Sequence, residues 1–403
     1  MITKGVSAAI DFQCEFWVQA TLCEFPRSLC TFVYMFLFNR FVHLIARTAL
    51  LFLATGLILL SALFLSGCAS ESPAATEMTS DSVRDTSSMV KGLSFVGCPK
   101  PSDSLDLIDV KRTHANFIAL MPFAYGDSGS SKLTYKDVDW QWWGESQEGV
   151  RTCIELARAQ DINCMIKPQV WLDHGSYTGF FMLNSEAKWL EFEKSYSDWI
   201  LSYAKLAQDH GAAIFCIGTE FDEWTQLRPE YWKKLIEEVR QIYKGPLTYA
   251  CNWNCVDKIS FWNELDFIGI DAYFPLTAEK TPSLDSLRIA WAPLAQNFAH
   301  FSDSLSKKIL FTEWGYRSVD YCADRPWEYH TDTSGNNEAQ YNCYKALMET
   351  CCNKSWFAGG FMWKWFPESN RNDRHSRDEY SPQDKPAEDL LIECWKKETS
   401  NSR

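Results

Sequence analysis

Two glutamates stand where a pair of carboxylates does chemistry. Glu220 lies in IGTEFDEW and Glu313 in FTEWGY, each ending an apolar run with an aromatic residue next along. One carboxylic acid to protonate a leaving oxygen, and a second carboxylate to attack an anomeric carbon or activate water, is the minimum for glycoside hydrolysis. A lone glutamate is more often a solvated surface charge or the partner of a nearby Lys or Arg. Two of them, ending separate strands among aromatic residues, outweigh that reading.

Other apolar runs end in polar or aromatic side chains too, as a binding mouth requires and a buried core does not. Lys167, Gln169 and Trp171 (IKPQVWL) share one face by alternation along a strand. Asn252 (CNWN), Asp271 and Tyr273 (IDAYFP), and Trp363 and Trp365 (MWKWFP) complete the candidate substrate-binding set. Trp140, Trp142 and Trp143 fall in a loop and either extend the cleft or pack over the loop itself. Asp173 and His174 are adjacent but have no further ligands nearby in sequence. The seven His are scattered and there is no C-x-x-C, so neither a metal nor a cofactor is expected.

The elements that must hold these side chains are short apolar runs alternating with amphipathic stretches, the pattern of βαβ units around a parallel sheet. Strands are expected over 92–97, 116–122, 164–171, 213–221, 247–253, 267–274, 309–314 and 359–365, with helices over 185–210, 229–243 and 338–352. Pro229 suits a first helical turn, and Gly211 and Gly245 read as helix stops. Eight strand–helix units over about 300 residues fit an α/β fold of the (β/α)8 TIM-barrel type, whose active site lies at the C-terminal ends of the strands. A doubly wound sheet would carry G-x-G-x-x-G in its first turn, and none is present. One catalytic domain over 91–403 accounts for the pattern.

The segments KGLSFVG, FIALMPFAYG, IKPQVWL, IGTEF, FTEWGYRS, GFMWKWFP and YSPQDKPAEDLL resemble glycoside hydrolase family GH113, the β-mannanase family of clan A. The resemblance runs from about Lys91 to Leu391. It implies that Glu220 is the acid/base, that Glu313 is the nucleophile, and that anomeric configuration is retained. It also implies that Tyr273 supports the nucleophile and that Trp363 floors the reacting subsite. One position departs from much of the clan, where Asn precedes the acid/base and binds the sugar 2-hydroxyl: here it is Thr219. A hydroxyl cannot offer an amide's two donors and carbonyl acceptor. Asn252 is the residue expected to compensate.

The resemblance implies an endo-β-1,4-mannanase or manno-oligosaccharide hydrolase acting on a β-linked polysaccharide or oligosaccharide. A hydrolase of another β-linked glycan shares the same architecture, because a fold and its catalytic pair do not fix the sugar. A catalytically silent glycan-binding lipoprotein would keep the aromatic cleft; the presence of both Glu ranks it last. Composition excludes other classes. A net charge of −13 gives no basic surface for nucleic acid. Eighteen Trp are more than a core needs and supply flat platforms for sugar rings.

The N-terminus reads as an export segment. Residues 48–65 carry no charge, follow Arg40 and Arg47, and run into Leu65-Ser66-Gly67-Cys68, a pattern resembling a bacterial lipoprotein signal. Cys68 is then lipidated, residues 1–67 are removed, and 68–90, rich in Ser, Thr and acidic residues, form a flexible tether. A plain membrane-spanning anchor is the weaker alternative. The expected location is the cell envelope, on a lipid anchor. Asp11, Glu15 and Glu24 do not suit an export leader, which points to Met35 as the true start; peptides from upstream of it in the unprocessed precursor would overturn this. The cysteines downstream of Cys68 are odd in number, and Cys164 and Cys216 lie in apolar runs as small hydrophobes. A surface bridge from Cys251 to Cys255, or one using Cys351 or Cys352, is compatible with the sequence, which does not fix a pairing.

Overall fold

The computed structural model describes residues 88–136, 138–173, 176–328, 334–367 and 379–401. The export segment, Cys68 and most of the expected tether lie outside the described residues, as does His174. Among the described residues, no helix is long and apolar enough to cross a membrane.

Eight parallel strands close into a barrel. In barrel order they are β1 (Val90–Phe95), β2 (Phe117–Leu120), β4 (Asn163–Ile166), β6 (Ile214–Thr219), β7 (Leu247–Asn252), β8 (Ile268–Asp271), β9 (Ile309–Trp314) and β10 (Phe357–Trp365), the last pairing back onto β1. The surrounding helices are α1 (Ser104–Arg112), α2 (Gln147–Ala159), α3 (Glu186–His210), α4 (Asp222–Leu227), α5 (Pro229–Ile242), α6 (Leu284–Leu305), α7 (Asn337–Cys351) and α8 (Pro386–Asn401). This is the expected (β/α)8 barrel.

Period-two alternation splits the apolar residues into two layers. Phe117, Met165, Ile214, Leu310 and Phe361 plug the barrel interior, while Ile118, Ile166, Phe215, Ile217 and Phe311 face the helices. Local signals place the helices. Ser185 caps α3 by accepting from the Lys188 N–H, and Gly211 ends that helix at φ 67°, where a Cβ would be strained. Pro229 opens α5 as expected. Gly245 does not cap it: Tyr243 takes an extended C-cap conformation. A Cβ on Gly245 would lie 2.3 Å from the Tyr243 hydroxyl, so this glycine makes room for a ring.

The expected strand over 164–171 is two strands. Pro122 and Pro168 lie at corresponding levels of neighbouring strands, and neither has an N–H for the ladder. Pairing stops there and resumes beyond, as β3 (Phe123–Gly126) and β5 (Gln169–Leu172) form a two-stranded parallel ribbon. The Gln169 N–H donates to the Pro122 carbonyl at 2.9 Å where it begins.

The disulfide expectation also needs correction. All the described cysteines are free thiols, and Cys251, Cys255 and Cys351 are buried. The Sγ atoms of Cys322 and Cys343 approach to 3.7 Å, a neighbourhood created by the fold alone.

Candidate active site

Glu313 reaches the barrel mouth through an irregularity in β9. The β8–β9 register shifts between Ile270 and Asp271, so Glu313, rather than Thr312, lies opposite Asp271. Such bulges re-aim a side chain without ending the strand. Three donors hold its carboxylate. Lys167 Nζ lies 2.5 Å and Gln169 Nε2 3.0 Å from Oε1, and the Tyr273 hydroxyl donates to Oε2 at 2.8 Å. The two oxygens are thus gripped from different strands, which fixes the plane of the carboxyl group.

Lys167 is fully buried, so its side chain offers no surface to a substrate, where the sequence expects it in the substrate-binding set. It points into the barrel from the end of β4 and also bonds Asp271 Oδ2 at 3.3 Å. Asp271 is just as buried, and its other oxygen accepts from the Thr312 hydroxyl at 2.7 Å. It too is a support rather than a substrate ligand. Burial pushes the Asp271 carboxyl up to about 7, the Glu313 charge adds to the rise, and Lys167 and Thr312 oppose it.

Glu220 is built differently. It follows β6 in the left-handed region, φ 52°, with its N–H donated to the Ala250 carbonyl at 2.8 Å. That conformation is uncommon for a side chain of this size and clusters at functional sites. Gly218, two residues earlier, lets Tyr196 and Trp232 pack against β6; a Cβ there would lie 2.6 Å from the Tyr196 hydroxyl. No hydrogen bond among the described residues holds the Glu220 carboxyl. Burial drives its pKa well above the ordinary carboxylate range, and the negative charges of Asp271 and Glu313 push the same way, against Lys167. One carboxylate is clamped by donors and the other is unheld and favours its proton, which is how two carboxyl groups take separate acid and base roles.

A chain of polar groups beside Glu220 was not legible in the sequence. The Asn252 amide donates to the Tyr177 hydroxyl, which donates to Asp222 Oδ2 at 2.8 Å. Tyr177 titrates well above its ordinary value because of burial first, then the charges of Glu220 and Asp222. It arrives from the loop after β5, where nothing in the residue order marks it. The Thr219 hydroxyl is taken up by the Pro168 carbonyl at 3.1 Å, so it has no proton to offer a sugar oxygen.

The aromatic residues divide. Trp365 is fully buried, so the structure returns it from the expected substrate-binding set to the core. Trp363, two residues earlier on β10, remains part-exposed, with Lys364 Nζ 5.9 Å from its ring. Trp171 is 46% exposed on the β5 ribbon, and Trp140, 57% exposed, meets the neighbouring Tyr125 edge-on at 4.4 Å. Trp327, which no sequence signal marked, is 42% exposed and stacks on Trp253 at 5.2 Å. The motif at 380–391 proves structural: the Gln383 amide pairs with both the N–H and the carbonyl of Phe366, fixing the end of β10. Among the described residues no group of three His, Cys, Asp or Glu is placed to hold a metal ion.

A closed parallel barrel with a clamped carboxylate and a proton-retaining one at the ends of its strands, amid exposed Trp, is the architecture of a glycosidase. The family model described as Glycoside Hydrolase Family 113 matches residues 98–385, and the chain belongs to that family. Among solved structures it is similar to the GH113 β-mannanase AaManA from Alicyclobacillus acidocaldarius in complex with ManMIm. The identity is 23%, with 77% of this chain and 98% of that one covered and a TM-score of 0.66. It is also similar to a GH113 β-1,4-mannanase solved as a complex, at 21% identity over 76% of this chain and 99% of the other, TM-score 0.65. No match is found among curated proteins.

Proposed function

We propose that the protein is a retaining endo-β-1,4-mannanase or manno-oligosaccharide hydrolase, held at the cell envelope by lipid on Cys68. The observation that carries the mechanism is the contrast between Glu313, gripped by Lys167, Gln169 and Tyr273, and Glu220, unheld and shifted toward its protonated form. In the first step Glu220 gives its proton to the glycosidic oxygen while Glu313 attacks the anomeric carbon. The leaving sugar departs as an alcohol and a glycosyl ester forms on Glu313. In the second step Glu220, now a carboxylate, takes a proton from water, whose oxygen displaces Glu313 from the anomeric carbon. Two inversions give retention.

Mannan is the favoured substrate because the family's structural neighbours carry that activity in their names. With Thr219 committed to Pro168, and the Tyr177 hydroxyl to Asn252 and Asp222, the second N–H and the carbonyl oxygen of the Asn252 amide remain to meet a sugar hydroxyl. A reducing-sugar assay on mannan, glucomannan, xylan and cellulose tests the substrate. Release from mannan and glucomannan is expected, and release from xylan or cellulose alone would move the assignment to another β-linked glycan. Proton NMR of the first product tests retention: the β-anomer should appear before mutarotation, and an initial α-anomer would reject the double displacement.

A further inference from the structure

We propose a second carbohydrate-binding groove on the outer flank of the barrel, between the loop after β7 and helix α6, that holds a neutral β-linked glycan chain outside the catalytic cleft. The proposal rests on the glycosidase reading and extends it to polymer capture. The groove encloses about 650 Å³, within the ~300–1,000 Å³ of small-molecule sites. The loop contributes Trp253 and Asp257, and one side of α6 contributes Gln296, Asn297, His300 and Asp303.

Two observations carry it. First, the lining pairs one large aromatic face with amide, imidazole and carboxylate groups, and a sugar presents the matching surfaces: an apolar C–H face ringed by hydroxyls. The side chains of Gln296, Asn297, His300 and Asp303 make no hydrogen bond or ion pair with the described residues, so their capacity is unspent. Second, the aromatic platform is held in place. Trp253 is backed by Trp327 at 5.2 Å and touches Phe274 at 5.9 Å, and Phe274 in turn packs on Phe298 of α6 at 5.3 Å. Asp257 and Asp303 repel uronic or sulfated glycans, which restricts the occupant to neutral sugars.

The test uses affinity electrophoresis of the full-length Glu313→Gln variant through gels containing glucomannan or galactomannan, with xylan, carboxymethylcellulose and no polysaccharide as comparisons. Adding Asn297→Ala and His300→Ala should cut retardation by a neutral mannan several-fold. In the otherwise native enzyme the same pair should raise KM for the polymer several-fold and leave kcat/KM for an aryl β-mannoside unchanged. Asn297→Trp, which fills the groove without removing a fold contact, should reproduce the loss. Unchanged retardation and unchanged polymer KM in both variants would overturn the groove. Equal losses on polymer and aryl glycoside would also overturn it, since the effect would then be on the catalytic site. Failure of the mannan reading is separately visible: retardation and turnover would both follow another polysaccharide in the series, and the groove variants would then be read against that one.

Discussion

Lys167 and Glu313 share a 2.5 Å hydrogen bond inside the barrel mouth, and the same ammonium reaches Asp271 at 3.3 Å. One buried cation thus lies between two carboxylates, and the electrostatics of the site hinge on it. Replacing Lys167 by Met leaves Glu313 and Asp271 facing each other without compensation. Removing one partner of a buried ion pair costs about 3–5 kcal/mol, lessened here because Asp271 can take up a proton instead. The expected outcome is a lower Tm and a loss in kcat on the order of 100-fold, the scale for deleting one preorganised donor. Adding Asp271→Asn should restore much of the Tm but not the rate. A Lys167→Met enzyme with native Tm and kcat would remove Lys167 from the mechanism.

Glu220 links stability to pH in a definite direction. Its folded pKa is raised above the unfolded value, so the folded state holds a proton that the unfolded chain has already released. Its contribution is therefore fully present below the ordinary glutamate pKa and is lost as pH rises through the folded value. Glu220→Gln removes that loss. The variant should melt higher than the native enzyme at pH 8, with the gap shrinking toward pH 4, by calorimetry in matched buffers. A gap that widened toward acid pH would contradict the shift. The same proton sets the alkaline limb of kcat/KM on mannan, and that limb should flatten for the glycosylation step of substrates whose leaving group needs no proton.

Much of this site follows from short-range pattern. Glu220, Glu313 and Tyr273 each end an apolar strand, and a closed barrel collects such ends at one face. The buried role of Lys167 is not legible because its partners are far away in sequence: Asp271 and Glu313 lie 104 and 146 residues downstream, and no local rule pairs a buried lysine with them. The burial of Trp365 is not legible because alternation puts it on the same face as Trp363, and the register irregularities of β10 against its neighbours are invisible in sequence. The split at Lys167-Pro168 does have a local signal, which the expectation of one strand over 164–171 passes over, since a proline inside a strand run argues against an unbroken ladder. Tyr177 and Trp327 arrive from irregular loops, where neither periodicity nor capping speaks.

Trp363 offers a narrower test of the aromatic floor. It is the part-exposed Trp of β10, whereas Trp365 has no surface to offer a ligand. Trp363→Ala should cost about 1–3 kcal/mol in kcat/KM, the scale of losing one well-packed aromatic contact at a binding site. Trp365→Ala should instead cost about 3–5 kcal/mol of stability through a core cavity, and so lower Tm. Steady-state kinetics and thermal melts on both variants separate the two roles. A Trp363→Ala enzyme with native kcat/KM on mannan would return that residue to scaffolding.

The two carboxylates are best told apart by small-anion rescue. Glu220→Ala removes proton donation, so natural mannan, with its poor leaving group, should react very slowly. An aryl mannoside with an acidic phenol needs no proton and should still form the ester on Glu313. Hydrolysis of that ester then lacks its base, and a burst of phenol should precede a slow steady state. Azide needs no base and should enter the space left by the missing carboxyl group, releasing a β-mannosyl azide with overall retention. Glu313→Ala removes the covalent step for every substrate, activated or not. Azide there should occupy the vacated site below the anomeric carbon, attack once, and give the α-azide with inversion. Product identity by NMR therefore assigns each residue independently of the size of the rate loss. An α-azide from Glu313→Ala with no rescue of Glu220→Ala would keep the nucleophile and vacate the acid/base position. Full activity of both variants on mannan would place the chemistry elsewhere in the barrel.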